Sequence, residues 1–122
     1  TKLDVTSVNW KRSRPSIVLV IREGCHFCEE SFPFYRVLAK EMQRSPTVGM
    51  VIVAPGPIAS TRQYLKEHDL ADFQIILSSP LVTIHVSGTP TLLLVDSTGT
   101  IRRSWLGKLN SAQEQQVIRA IS

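Results

Sequence analysis

Five uninterrupted apolar residues, Ile17-Val18-Leu19-Val20-Ile21, lead through Arg22-Glu23-Gly24 into Cys25-His26-Phe27-Cys28, which holds the only two cysteines of the 122-residue chain. An apolar run without alternation suits a strand covered on both faces. If a helix starts at the motif, both sulfurs lie at its N-terminus, where free N–H groups and the macrodipole favour a thiolate. A dithiol placed this way can serve as a redox catalyst. The alternative, an inert local staple or a pair of buried thiols, is opposed by the motif, its context and a later proline.

A chain of this length fits one domain with a real core. Its 43% hydrophobic and 20% charged residues belong to an ordinary globular protein. The net charge of +4 is modest, and Lys11, Arg12 and Arg14 form the one dense basic cluster, with no stacking aromatics between them. That pattern reads as a solvated surface and points away from nucleic acid. No apolar run approaches the roughly 18 residues of a membrane span, and no signal peptide is visible. A start at Thr1 rather than Met is expected of a trimmed or processed chain, so compartment has to be argued indirectly.

Residues 1–15 read as a lead-in and 16–122 as the domain. Ser16–Arg22 is expected as a strand, Glu23-Gly24 as a turn, and His26 to Arg44 as a helix. Two apolar rows at helical spacing mark that helix, Phe27-Phe34-Leu38 and Phe32-Tyr35-Ala39-Met42, with Pro33 inside it as a kink. A second buried strand is expected over Thr47–Ala54, then a break at Pro55-Gly56-Pro57 and a helix over Ile58–His68. Phe73–Leu77 suits a short extra strand, and Pro80–Val86 a short helix or irregular turn. Thr91–Val95 and Thr100–Leu106 form a hairpin around Asp96-Ser97-Thr98-Gly99. Ser111 and Glu114 have capping-box spacing and open a last helix whose inward face is Val117, Ile118 and Ile121. The order predicts an α/β fold: a central mixed sheet, with a parallel βαβ unit followed by an antiparallel hairpin, flanked by helices.

On these features the chain resembles the thioredoxin-like superfamily from about residue 16 to 121. The specific matches are Cys25-His26-Phe27-Cys28 at the strand-to-helix turn, Pro33 five residues past the second cysteine, and Gly88-Thr89-Pro90-Thr91 leading into a strand. Phe32-Pro33, the insert over 69–87 and Leu94-Val95-Asp96-Ser97-Thr98-Gly99-Thr100-Ile101 are similar to the TlpA-like branch of bacterial extracytoplasmic proteins. The resemblance implies that Pro90 is cis and faces the disulfide. The chain departs from the pattern at Ser31, usually glutamate in that branch. It departs also at Leu19, usually a buried aspartate in thioredoxins, and at Gly24, often tryptophan.

The function expected is thiol–disulfide exchange with partner proteins, in a periplasmic or otherwise extracytoplasmic setting. Cys25 is the attacking thiol and Cys28 resolves the mixed disulfide; the direction of electron flow stays open. His26 either donates to the Cys25 thiolate, favouring the reduced form, or points into solvent at the rim. Phe27 offers an apolar contact to a partner. Thr89 would present its backbone N–H and C=O to an extended partner segment beside Pro90. Glu23, Glu29 and Glu30 read as solvated charges of the helix start, or one of them as a proton relay in place of the missing buried carboxylate. His68 and His85 are expected as surface or loop residues, Trp10 and Trp105 as packing. Partners are protein thiols or disulfides and a membrane or soluble redox partner, and the reading calls for no cofactor and no resident metal. The competing class is Cu(I) holding by the dithiol with help from His85. A peroxidase relative lacks its usual TxxC arrangement here.

Overall fold

The run Ile17–Ile21 is fully buried, and the sheet is built outward from it. A computed structural model describes residues 15–44, 48–70, 76–81 and 86–121. The elements are β1 (Ser16–Val20), α1 (His26–Arg44), β2 (Gly49–Ala54), α2 (Ile58–Glu67), β3 (Ile76–Ser78), β4 (Thr91–Val95), β5 (Ile101–Leu106) and α3 (Ser111–Ile121). The sheet order is β3-β2-β1-β4-β5. β1 pairs in parallel with β2 and β2 with β3, whereas β4 pairs antiparallel to both β1 and β5. This is the expected mixed α/β sheet. Residues 1–14 of the lead-in, with Trp10 and the basic cluster, lie outside the described residues, as does His85.

Alternation along β1 divides the core in two. Ile17, Leu19 and Ile21 join Phe32, Tyr35, Leu38 and Met42 of α1, Leu65 of α2, and Val117 and Ile121 of α3. Val18 and Val20 face the other way with Val51, Val53, Leu93 and Val95, covered by Leu77, Leu81, Val86 and Ile101. All three helices therefore contribute to the same side of the sheet, which fixes α2 next to α1.

The expected α1 bounds match, and Pro33 lies within the helix with its ring on the exposed side. Phe27 leaves its expected row and is exposed, while Leu38 is buried beside Tyr35. Capping of α3 falls one residue earlier than Ser111 and Glu114. Gln113 N–H donates to Asn110 Oδ1 at 2.8 Å, and Asn110 N–H donates to Gln113 Oε1 at 3.0 Å. Ser111 is already helical, so the residue before it holds the cap. Trp105 is a packing residue as expected, and its Nε1–H donates to Gln116 Oε1 at 3.2 Å, tying β5 to α3.

Candidate redox site

β1 delivers the chain to the sheet edge facing the helix start, and the turn Arg22–Cys25 reverses it. Cys25 N–H donates to Arg22 O at 3.2 Å, closing that turn. Gly24 has φ +75, the left-handed region that a residue with a Cβ adopts at a cost. A tryptophan at this position would carry that strain, which gives the departure at Gly24 a local reason.

Cys25 and Cys28 form a disulfide with their Cα atoms 5.2 Å apart. Cys25 is 6% exposed and Cys28 fully buried, so an incoming partner meets Cys25 first. Two donors converge on the Cys25 sulfur. Cys28 N–H, a free N–H of the first helical turn, lies 3.2 Å away, and the Thr89 hydroxyl 3.3 Å away. The Thr89 carbonyl oxygen is 3.5 Å from the same sulfur. Thr89 comes from the loop before β4, 64 residues along the chain, and its peptide bond to Pro90 is cis. Pro90 O accepts from Gly107 N–H at 2.8 Å, and Thr91 Oγ1–H donates to Gly88 O at 2.7 Å. Those two bonds hold the loop against the sulfurs.

The rim divides into an apolar and a charged part. Phe27 is 55% exposed at the start of α1, and Leu106 is exposed at the end of β5, alongside Gly88. His26 takes the rim position rather than reaching the sulfur: its side chain is 78% exposed, with Nε2 3.4 Å from Glu30 Oε2. Lys108 Nζ approaches the other Glu30 oxygen at 3.9 Å. Glu30 is therefore partnered, not a free helix-start charge.

Beneath the motif no carboxylate appears among the described residues. Leu19 is fully buried in the core, and Ser31 donates its hydroxyl to Phe27 O at 2.7 Å. Tyr35 faces Ser31, and burial pushes its phenol far above the ordinary range, with the Ser31 contact pulling slightly back. A second phenol was not foreseen. Tyr64 of α2 sets its ring edge-on to Phe32 at 5.7 Å and to His68 at 5.0 Å. His68 in turn lies 4.5 Å from Phe32, so it belongs to this half-buried aromatic cluster rather than to a solvated loop. Arg36 Nε–H donates to the His68 carbonyl at 3.0 Å, fastening α1 to the end of α2. Burial and the nearby Glu29 and Glu23 carboxylates push the Tyr64 phenol up to about 12, while the Gly24 N–H pulls the other way. The sequence signal was weak: Tyr64 stands 36 residues after Cys28, and only the shared helical face brings it to the motif.

No protein-family model matches this chain. A curated relative, the methylamine utilization protein MauD of Paracoccus versutus, is 27% identical over 94 residues, covering 76% of this chain and 46% of that protein. The chain thus spans about half the length of the curated relative it matches. Among solved structures, a thiol:disulfide interchange protein from Bacteroides sp. superposes with a TM-score of 0.72 at 16% identity, over 99% of this chain and 84% of that one. The thioredoxin domain of the thiol-disulfide oxidoreductase BVU-2223 from Bacteroides vulgatus gives 0.69 at 16% identity, over 100% and 92%. The chain has the thioredoxin-like fold, as its resemblance implied.

Proposed function

We propose that this chain is a thiol–disulfide oxidoreductase that exchanges disulfides with partner proteins through Cys25 and Cys28. The observation that carries the reading is the Cys25 sulfur itself, bonded to Cys28 at a helix start and faced by Thr89 from a distant loop. In the reduced form, Cys28 N–H and the Thr89 hydroxyl would stabilise a Cys25 thiolate, as hydrogen bonds to a charged acceptor do. That thiolate attacks a partner disulfide and releases one partner thiolate. Cys28 then attacks the Cys25 sulfur of the mixed disulfide and frees the second. Run in reverse, the same steps oxidise a partner dithiol.

Thr89 and Pro90 line the place where an extended partner segment would lie, with Phe27 as an apolar contact. His26, paired with Glu30, tunes the rim charge rather than touching sulfur. An extracytoplasmic setting follows from the TlpA-like resemblance; among the described residues no helix is long and apolar enough to cross a membrane.

The test is insulin disulfide reduction and refolding of a reduced, disulfide-containing substrate, with a Cu(I) titration of the reduced chain alongside. Exchange that disappears in Cys25→Ser supports the reading. Tight 1:1 copper binding with no exchange activity would replace it with the metal-holding alternative.

A further inference from the structure

Thr91 carries a hydroxyl on a buried sheet face whose other members are apolar. It opens β4, is 6% exposed, and its Cα partner on β1 is Val20. By the alternation of a strand it shares its face with Leu93 and Val95, which pack with Val18 and Val20. Valine has the same shape and would complete that face without burying a polar atom, so the hydroxyl calls for a reason. Thr91 Oγ1–H donates to Gly88 O at 2.7 Å, back across the loop that carries Thr89 and Pro90. Gly88 O and Thr89 N–H belong to one planar peptide unit, so the bond that fixes the carbonyl fixes the N–H as well. On the far side of Thr89, Pro90 has no N–H to offer, and its carbonyl is held by Gly107 N–H at 2.8 Å. Thr89 is clamped between these two held peptide units. From the clamp its hydroxyl reaches the Cys25 sulfur at 3.3 Å, and its carbonyl oxygen lies 3.5 Å from the same atom. The Gly107 end of the clamp uses backbone alone; the Gly88 end depends on the Thr91 side chain.

Resting on the oxidoreductase reading, we propose that Thr91 is a positioning residue of the redox centre. Its buried hydroxyl, bonded to Gly88 O rather than to sulfur, orients the Gly88–Thr89 peptide unit. Through that unit it sets two groups of Thr89 at once: the hydroxyl on Cys25 and the N–H that an extended partner segment would meet. With the loop held, the Thr89 hydroxyl stands in place before Cys25 becomes a thiolate and needs no reorganisation when the charge appears. With the loop free to turn, both donors are spread over several orientations and each counts for less. Thr91 therefore links two properties that separate residues could otherwise set, the dithiol–disulfide equilibrium and the capture of a partner.

The test is a double-mutant cycle read as the dithiol–disulfide equilibrium in glutathione buffers. Thr91→Val should move that equilibrium toward the disulfide about threefold, a part of what loss of the Thr89 hydroxyl removes. Thr91→Ser, which keeps the hydroxyl, should restore the wild-type equilibrium. On a Thr89→Val background, Thr91→Val should add nothing, because the group that Thr91 positions is already gone. Partner capture gives a second readout: Thr91→Val should slow attack on a peptide disulfide more than attack on a small aromatic disulfide, which has no backbone to pair. If Thr91→Val does not fold, Thr91→Ala against Thr91→Ser isolates the same hydroxyl. An equilibrium unmoved by loss of the hydroxyl, or shifts that multiply in the double variant, would overturn the inference and leave Thr91 as a closure of the loop alone. A wild-type chain that exchanges with neither glutathione nor a protein disulfide would instead overturn the oxidoreductase reading on which the inference stands.

Discussion

Replacing Thr89 with valine keeps the shape of the side chain and deletes one of the two donors at the Cys25 sulfur, the hydroxyl 3.3 Å away. A hydrogen bond to a charged acceptor contributes about 1.5–3 kcal/mol, a neutral one about 0.5–1.5. The disulfide sulfur is a poor acceptor and the thiolate a charged one, so the hydroxyl favours the reduced form by the difference, about 1–1.5 kcal/mol. Cys28 N–H, 3.2 Å from the same sulfur, remains in the variant. Thr89→Val should therefore shift the dithiol–disulfide equilibrium toward the disulfide about five- to tenfold and lower the reduction potential by about 20–30 mV. Thr89→Ser, which keeps the hydroxyl, should stay near wild type. Equilibration in glutathione buffers, quenched by alkylation and read by mass, measures both variants. An unchanged potential in Thr89→Val, or one that rises, would refute the claim that this hydroxyl stabilises the thiolate.

Phe32 is buried at the centre of the aromatic contacts with Tyr35, Tyr64 and His68, so Phe32→Ala should cost about 3–5 kcal/mol in urea unfolding. Phe27 is exposed, and Phe27→Ser should change stability by less than about 0.5 kcal/mol. It should nevertheless slow exchange with a protein disulfide several-fold while leaving a small disulfide unaffected. The Asp96 carboxyl is held well below the usual carboxylate range, first by the Thr98 hydroxyl and then by the Thr100 and Thr98 N–H groups and Arg102. A carboxyl whose folded pKa is depressed adds stability above its unfolded pKa and loses it as pH falls through the folded one. Asp96→Asn should thus be less stable than wild type at neutral pH, and the gap should narrow below about pH 4.

The parts of this fold legible in the sequence were those governed by local pattern. An apolar run with no polar break yields the central strand, and Gly24 followed by the cysteine motif places the helix start at His26. What escaped depended on neighbours distant in the chain. Asn110–Gln113 and Ser111–Glu114 have equal spacing, and only the position of the first helical residue decides which pair caps α3. His68 reads as a surface or loop residue until α2 is known to bring it, with Tyr64, against the ring of Phe32. The rim position of His26 follows from a partner four residues on, Glu30, which competes with the sulfur for the ring. Thr89 was expected to serve through its backbone, while its hydroxyl also lies on the Cys25 sulfur.

The central claim is that Cys25 takes the partner sulfur and Cys28 releases it. Cys28→Ser incubated with a disulfide-bonded protein substrate tests this most directly, with the trapped species digested and sequenced by mass spectrometry. A stable mixed disulfide joined through Cys25, absent when Cys25 is also replaced by serine, is the predicted result. An adduct-free variant, with a wild-type chain that neither reduces nor oxidises the same substrate, would contradict it.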